Sequence, residues 1–104
     1  VNHSYQVFEV RKTDVFAAWI GQLSDPQAVR RIAIRIARLE AGLLGDVKPV
    51  GAGVSEVRID YGPGYRVYFV QRGRILIVLL CGGDKASQKR DINKAHALVA
   101  ELED

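Results

Sequence analysis

The sequence predicts an α+β domain in which a helical hairpin and a C-terminal helix pack on a small, mostly antiparallel sheet. Three observations lead there. Val54–Tyr61 and Tyr65–Gln71 alternate apolar and polar residues, the two-residue period of half-buried strands. Ile75–Cys81 is apolar on both faces, which suits a central strand covered on both sides. Three further segments repeat their apolar residues at helical spacing.

Taken in order, Tyr5–Val10 reads as the first strand, with Tyr5, Val7 and Glu9 alternating against Gln6, Phe8 and Val10. Thr13 or Asp14 can cap the helix that follows. Its stripe is Val15, Phe16, Trp19, Ile20 and Leu23, and Phe16 and Trp19 are large enough to anchor a core. Ser24-Asp25-Pro26 stops this helix and starts the next. Asp25 is the expected N-cap, and Pro26 suits a first turn in which its missing N–H has no partner. The second helix runs to about Glu40, with Val29, Ile32, Ala33, Ile36 and Leu39 facing inward. Arg31, Arg35 and Arg38 fall on another face. That face can meet RNA phosphate or a partner, or it can be a solvated charged surface.

Gly42–Gly53 is rich in glycine and reads as a loop carrying Lys48. Tyr61-Gly62-Pro63-Gly64 and Arg72-Gly73-Arg74 are turns. Gly82-Gly83 reads as a turn that delivers Lys85 to the start of a helix running from about Ser87 to Leu102. That helix packs through Ile92, Ala95, Val99 and Leu102, and His96 lies near this stripe. The predicted order is β-α-α-β-β-β-α, in a single domain spanning 1–104.

The composition bounds the function. The chain has 104 residues, 48% hydrophobic and 26% charged, which suits one folded domain with a modest core. No apolar run is long enough for a bilayer, and the N-terminal stretch lacks a signal-peptide pattern. The single cysteine, Cys81, cannot form an internal disulfide, and a reducing cytoplasm is the expected location. The net charge is only +3, but its distribution is uneven. Between Pro26 and Ala95, thirteen Lys and Arg residues stand against six Asp and Glu. A basic central surface fits a polyanion such as nucleic acid, or an acidic protein partner.

Two histidines and one cysteine give no metal-ligand cluster, and no serine stands in a nucleophile-elbow context. What remains is a set of cations among carboxylates and tyrosines: Lys48, Glu56, Arg58, Arg66, Tyr68, Lys85 and Asp91. Glu56, Arg58, Arg66 and Tyr68 lie on the polar sides of adjacent strands, so suitable pairing puts them on one sheet face. The plain alternative is a cross-strand ion pair with no ligand. Fixed cations on such a face suit RNA cleavage by the neighbouring 2′-hydroxyl. The transition state gathers negative charge on phosphoryl oxygens, and an arginine can hold it without a metal. Glu56 or a lysine can accept the 2′-hydroxyl proton, and Lys85, Tyr68 or Asp91 can help protonate the leaving oxygen.

The phrases FAAWIGQLSD, RIARLEAGLLGDVKPVGAGVSEVRIDYGPGYRVYFV and LLCGGDKASQKRDI cover nearly all of the chain after Val10. As a set they resemble the RelE/ParE toxin superfamily, and most closely its HigB-like, phage-derived addiction-module killer branch. The resemblance implies a RelE-like fold and a cytoplasmic toxin of a type II toxin–antitoxin pair. It also implies a ribosome-dependent mRNA endoribonuclease that needs no cofactor. Arg66 matches the arginine that follows Gly-Tyr in RelE-like members, Arg58 matches a basic residue of the preceding strand, and Lys85 matches the basic residue after the last strand. Glu56 stands where RelE has a lysine, and Asp91 stands where RelE has a tyrosine. The implied site is Arg66, Lys85, Arg58, Glu56 and Asp91 for catalysis, with Lys48, Tyr68, Arg31 and Arg35 holding RNA. The implied partners are mRNA on the ribosome and a helix-turn-helix antitoxin, through which operator DNA is bound indirectly, with no membrane. ParE-like members share the fold but inhibit DNA gyrase, so a gyrase inhibitor and a non-catalytic antitoxin-binding member are the alternatives.

Overall fold

A computed structural model describes residues 7–102. The elements are β1 (Glu9–Lys12), α1 (Asp14–Gln22), α2 (Pro26–Glu40), β2 (Val47–Pro49), β3 (Val54–Ile59), β4 (Tyr65–Arg72), β5 (Leu76–Gly83) and α3 (Gln88–Leu102). The five strands form one sheet in the order β1-β5-β4-β3-β2. All neighbours pair antiparallel except β1 and β5, which run parallel.

Both expected helix starts are present. The Thr13 hydroxyl accepts from the Phe16 N–H at 3.0 Å, which caps α1. The Asp25 carboxylate accepts from the N–H groups of Gln27 and Ala28, with Pro26 in the first turn of α2. Asp25 also accepts from the Tyr61 hydroxyl at 2.8 Å, which ties the end of β3 to the start of α2. That bond is the main reason its carboxyl sits below the usual range and the Tyr61 phenol above its own.

The sheet is covered on both faces, as the wholly apolar central strand requires. Val57, Ile59, Val67, Phe69, Ile77 and Leu79 pack against Phe16 of α1 and Ile32 and Leu39 of α2. On the other face Val54, Tyr68, Val70, Val78, Leu80 and Cys81 pack against Ala95 and Val99 of α3. Burial pushes the Cys81 thiol up to about 12, which suits a core residue rather than a nucleophile.

Three expectations change. The first strand starts at Glu9, later than predicted, and Tyr5 and Gln6 lie outside the described residues. Within the Gly42–Gly53 loop, Val47–Pro49 forms the extra strand β2, because its backbone finds partners along the edge of β3. Gly82 and Gly83 are not a turn but the end of β5. Each glycine allows a close approach on a different face. A Cβ on Gly82 would overlap the Trp19 ring, and a Cβ on Gly83 would overlap the Asp91 carboxylate. A bulge at Leu80 of β5 precedes this pair: Tyr68 opposes Cys81 while the adjacent Phe69 opposes Leu79, so Leu80 is left without a partner on β4. The extra residue sets which face each glycine serves.

Candidate functional site

The polar face predicted from strand alternation exists, and its register is direct. Glu56 on β3 opposes Tyr68 on β4, and Arg58 opposes Arg66. On the outer side Lys48 of β2 opposes Glu56. On the inner side Gly83 of β5 opposes Arg66. Lys48, Glu56, Arg58, Arg66 and Tyr68 therefore share the face that carries α3.

Glu56 is the centre of this group and is 0% exposed. Its Oε2 accepts from the Tyr68 hydroxyl at 2.9 Å and from the Gln88 amide at 2.8 Å. Its Oε1 accepts from Arg58 Nε at 3.3 Å. Burial alone would raise the pKa of this carboxyl. The bonds from Gln88, Tyr68 and Arg58, with the charge of Arg66, outweigh burial and hold it below the usual carboxylate range. Glu56 is thus a buried, ionised counter-charge.

Arg66 lies beside it. Its Nε stands 3.6 Å from Glu56 Oε2 and its side chain is 11% exposed. That Nε is buried and makes no hydrogen bond among the described residues. The Nη1 group donates to the Gly64 carbonyl at 2.8 Å. Gly64 has φ +79°, and a Cβ there would crowd Arg66 Nη1 at 3.3 Å and Lys85 Cβ at 3.4 Å. The turn before β4 therefore needs glycine for its backbone and for the arginine it orients. Lys85 is exposed nearby, and its N–H donates to the Pro63 carbonyl at 3.4 Å. The Arg58 side chain is 37% exposed. One buried carboxylate thus bonds the half-exposed Arg58 and attracts the largely buried Arg66, which the Gly64 carbonyl orients, with Lys85 and Lys48 at its margins. Arginine N–H donors and an excess of positive charge are the chemistry that can hold a phosphate-like anion.

No family model matches the chain. A protein of Haemophilus influenzae described as uncharacterized is 44% identical over 94 residues, spanning 90% of this chain and 95% of its own length. The chain belongs to the family of that protein. The match spans both the sheet and its helices, so the two chains share the whole domain rather than one motif.

In this family member, several residues expected at the site have other duties. Tyr68 is 0% exposed, so the expectation that it meets RNA is corrected. Burial and the bond to Glu56 push its phenol well above the ordinary value, and it supports the carboxylate from beneath. Asp91 is buried against Gly83 and accepts from the Ser87 hydroxyl, which secures the turn into α3. Arg31 and Arg35 belong to α2, on the opposite side of the sheet. Arg31 lies 4.8 Å from the centre of the Tyr61 ring. Arg35 donates to the Arg58 carbonyl at 2.6 Å and the Leu44 carbonyl at 3.1 Å, a strut between α2 and the strand edge. Neither joins the Glu56 cluster. His96 is also structural, its Nε2 donating to the Val50 carbonyl at 2.9 Å beneath the turn into β3.

Sequence reasoning missed Gln88 as a member of the site. Only the docking of α3 brings it to Glu56. Among the described residues no group of three or more His, Cys, Asp or Glu side chains could hold a metal ion, and no helix is long and apolar enough to cross a membrane. An apolar groove of about 690 Å³, lined by Val10, Phe16, Ile20, Val29, Ile36 and Leu79, opens between β1 and the first two helices, apart from the arginine pair.

Proposed function

We propose that this chain is a RelE-like toxin of the HigB-like branch, acting in the cytoplasm as a ribosome-dependent mRNA endoribonuclease and silenced by a helix-turn-helix antitoxin. The observation that carries this reading is the register pairing of Arg58 with Arg66 beside the buried Glu56 carboxylate. An α+β domain with three helices around a mostly antiparallel sheet supports the reading.

In the reaction the 2′-hydroxyl oxygen attacks the adjacent phosphorus and the bond to the 5′-oxygen breaks. One proton passes from the 2′-hydroxyl to solvent water, and Lys85 supplies one to the departing 5′-oxygen. The products are a 2′,3′-cyclic phosphate and a 5′-hydroxyl. Arg66 and Arg58 stabilise the charge that builds on the phosphoryl oxygens. Glu56 is a poor proton acceptor, because its pKa is lowered and its oxygens already take bonds from Tyr68, Gln88 and Arg58. Its part is to hold the arginines. Lys85, exposed beside Gly64, is the proton donor in this scheme, and Lys48 steadies a neighbouring phosphate. Asp91 acts indirectly by fixing the turn that carries Lys85.

Purified protein added to ribosomes translating an end-labelled mRNA tests the proposal. Cleavage within the decoded codon, lost in Arg66→Ala, is the expected result. Intact mRNA together with inhibition of DNA gyrase supercoiling would replace it with the gyrase reading.

A further inference from the structure

Glu56 Oε2 is contested. Tyr68 and Gln88 both donate to it, at 2.9 and 2.8 Å. Arg66 Nε stands 3.6 Å from the same oxygen, beyond hydrogen-bond distance, and is otherwise unpartnered among the described residues. A carboxylate oxygen that already accepts two short bonds has little capacity for a third. Gln88 is the first residue of α3, whereas the other members of the cluster lie on β3 and β4.

We infer that Gln88 is a positioning residue that keeps Arg66 available to an anionic ligand by occupying the Glu56 oxygen that Arg66 would otherwise take. With Gln88 in place, Arg66 is attracted to Glu56 but not bonded to it, and its orientation is set by the Gly64 carbonyl. Without that donor, a movement of less than one ångström closes the Arg66–Glu56 pair into a charge-assisted hydrogen bond. The guanidinium is then drawn toward the protein and away from the phosphoryl group. Docking of α3 is thereby coupled to the readiness of the arginine. For catalysis this inference rests on the nuclease reading; for geometry it does not.

Two measurements separate the two claims. The first is the NMR signal of the Arg66 Nε–H, assigned by its loss in Arg66→Lys, in wild type, Gln88→Met and Gln88→Lys. Gln88→Met keeps length and removes the donor, and Gln88→Lys restores a donor. The signal is expected to shift downfield and exchange more slowly with solvent in Gln88→Met, and to return toward wild type in Gln88→Lys. The second is cleavage of ribosome-bound mRNA. There kcat should fall by about tenfold in Gln88→Met with KM nearly unchanged, since a misplaced arginine mainly harms the transition state, and Gln88→Lys should recover most of it. Gln88→Leu, which has no polar hydrogen to donate, serves as a second donor-free variant should Gln88→Met fail to fold. An Arg66 signal that ignores the donor at position 88 overturns the inference, as does a shifted signal with unchanged kcat. If wild type cleaves no mRNA, the nuclease reading falls, and the NMR series alone decides the role of Gln88.

Discussion

Tyr68 and Glu56 face each other across the β3–β4 ladder, and the phenol donates to the carboxylate at 2.9 Å with both residues fully buried. A charge in such a place is costly unless its lone pairs are satisfied. Tyr68 supplies one bond from within the core, Gln88 one from α3 and Arg58 one from the rim. The sheet face can therefore keep an ionised group under two arginines.

Tyr68→Phe removes that internal donor and leaves the ring packing in place. A lost hydrogen bond to a buried charge costs about 1.5–3 kcal/mol. Urea unfolding is expected to show a loss in this range with an unchanged denaturant slope. A loss below about 0.5 kcal/mol would mean that Glu56 does not depend on Tyr68.

The pH dependence follows from the direction of the Glu56 shift. Its folded pKa lies below the unfolded value of about 4.5, so its ionisation adds stability that is fully present above that value. The contribution fades as pH falls below about 4.5 and through the lower folded value. Wild type should lose stability over this window more steeply than Glu56→Gln, with the two curves drawing together in acid. Parallel curves from pH 7 to pH 3, measured by urea unfolding, would contradict it.

Gly82 lies against the Trp19 ring, and no side chain fits between them. Gly82→Ala is expected to destabilise by about 1–3 kcal/mol, the usual cost of overpacking. Trp19→Leu should destabilise wild type yet restore part of the loss in the Gly82→Ala background. Additive effects in this double-mutant cycle would show that the two residues do not press on each other.

Arg35 serves the frame rather than the site. Arg35→Ala removes bonds to the Arg58 and Leu44 carbonyls and should cost about 1–2 kcal/mol in thermal unfolding. At a temperature where the variant is fully folded, RNA cleavage should match wild type within about twofold. A loss of activity comparable to that of Arg66→Ala would return Arg35 to the RNA-binding surface.

Much of this was legible in the sequence. Strict alternation along Val54–Tyr61 and Tyr65–Gln71 assigned the faces of both strands, and the short turn at Gly62–Gly64 made their pairing local. Given suitable pairing, Glu56, Arg58, Arg66 and Tyr68 could share one sheet face, and the observed register supplies that pairing. Cap chemistry at Thr13 and Asp25 marked the helix starts. The misses share a cause: they depend on contacts between distant segments. Gly82 and Gly83 look like turn residues because glycine commonly marks turns, but here they make room for Trp19 and Asp91. Val47–Pro49 becomes a strand only because β3 offers a free edge. Tyr68 resembles a surface aromatic until α3 covers it, and Gln88 resembles an ordinary helix polar residue until α3 docks beside Glu56.

The central claim is that Arg66 acts on RNA in translation. The most direct measurement is mapping of transcript 5′ ends after a brief pulse of expression, comparing wild type with Arg66→Ala. New ends inside translated codons, absent in Arg66→Ala at equal protein level, are the predicted result. Growth arrest without new ends, or the same ends in both, would contradict it.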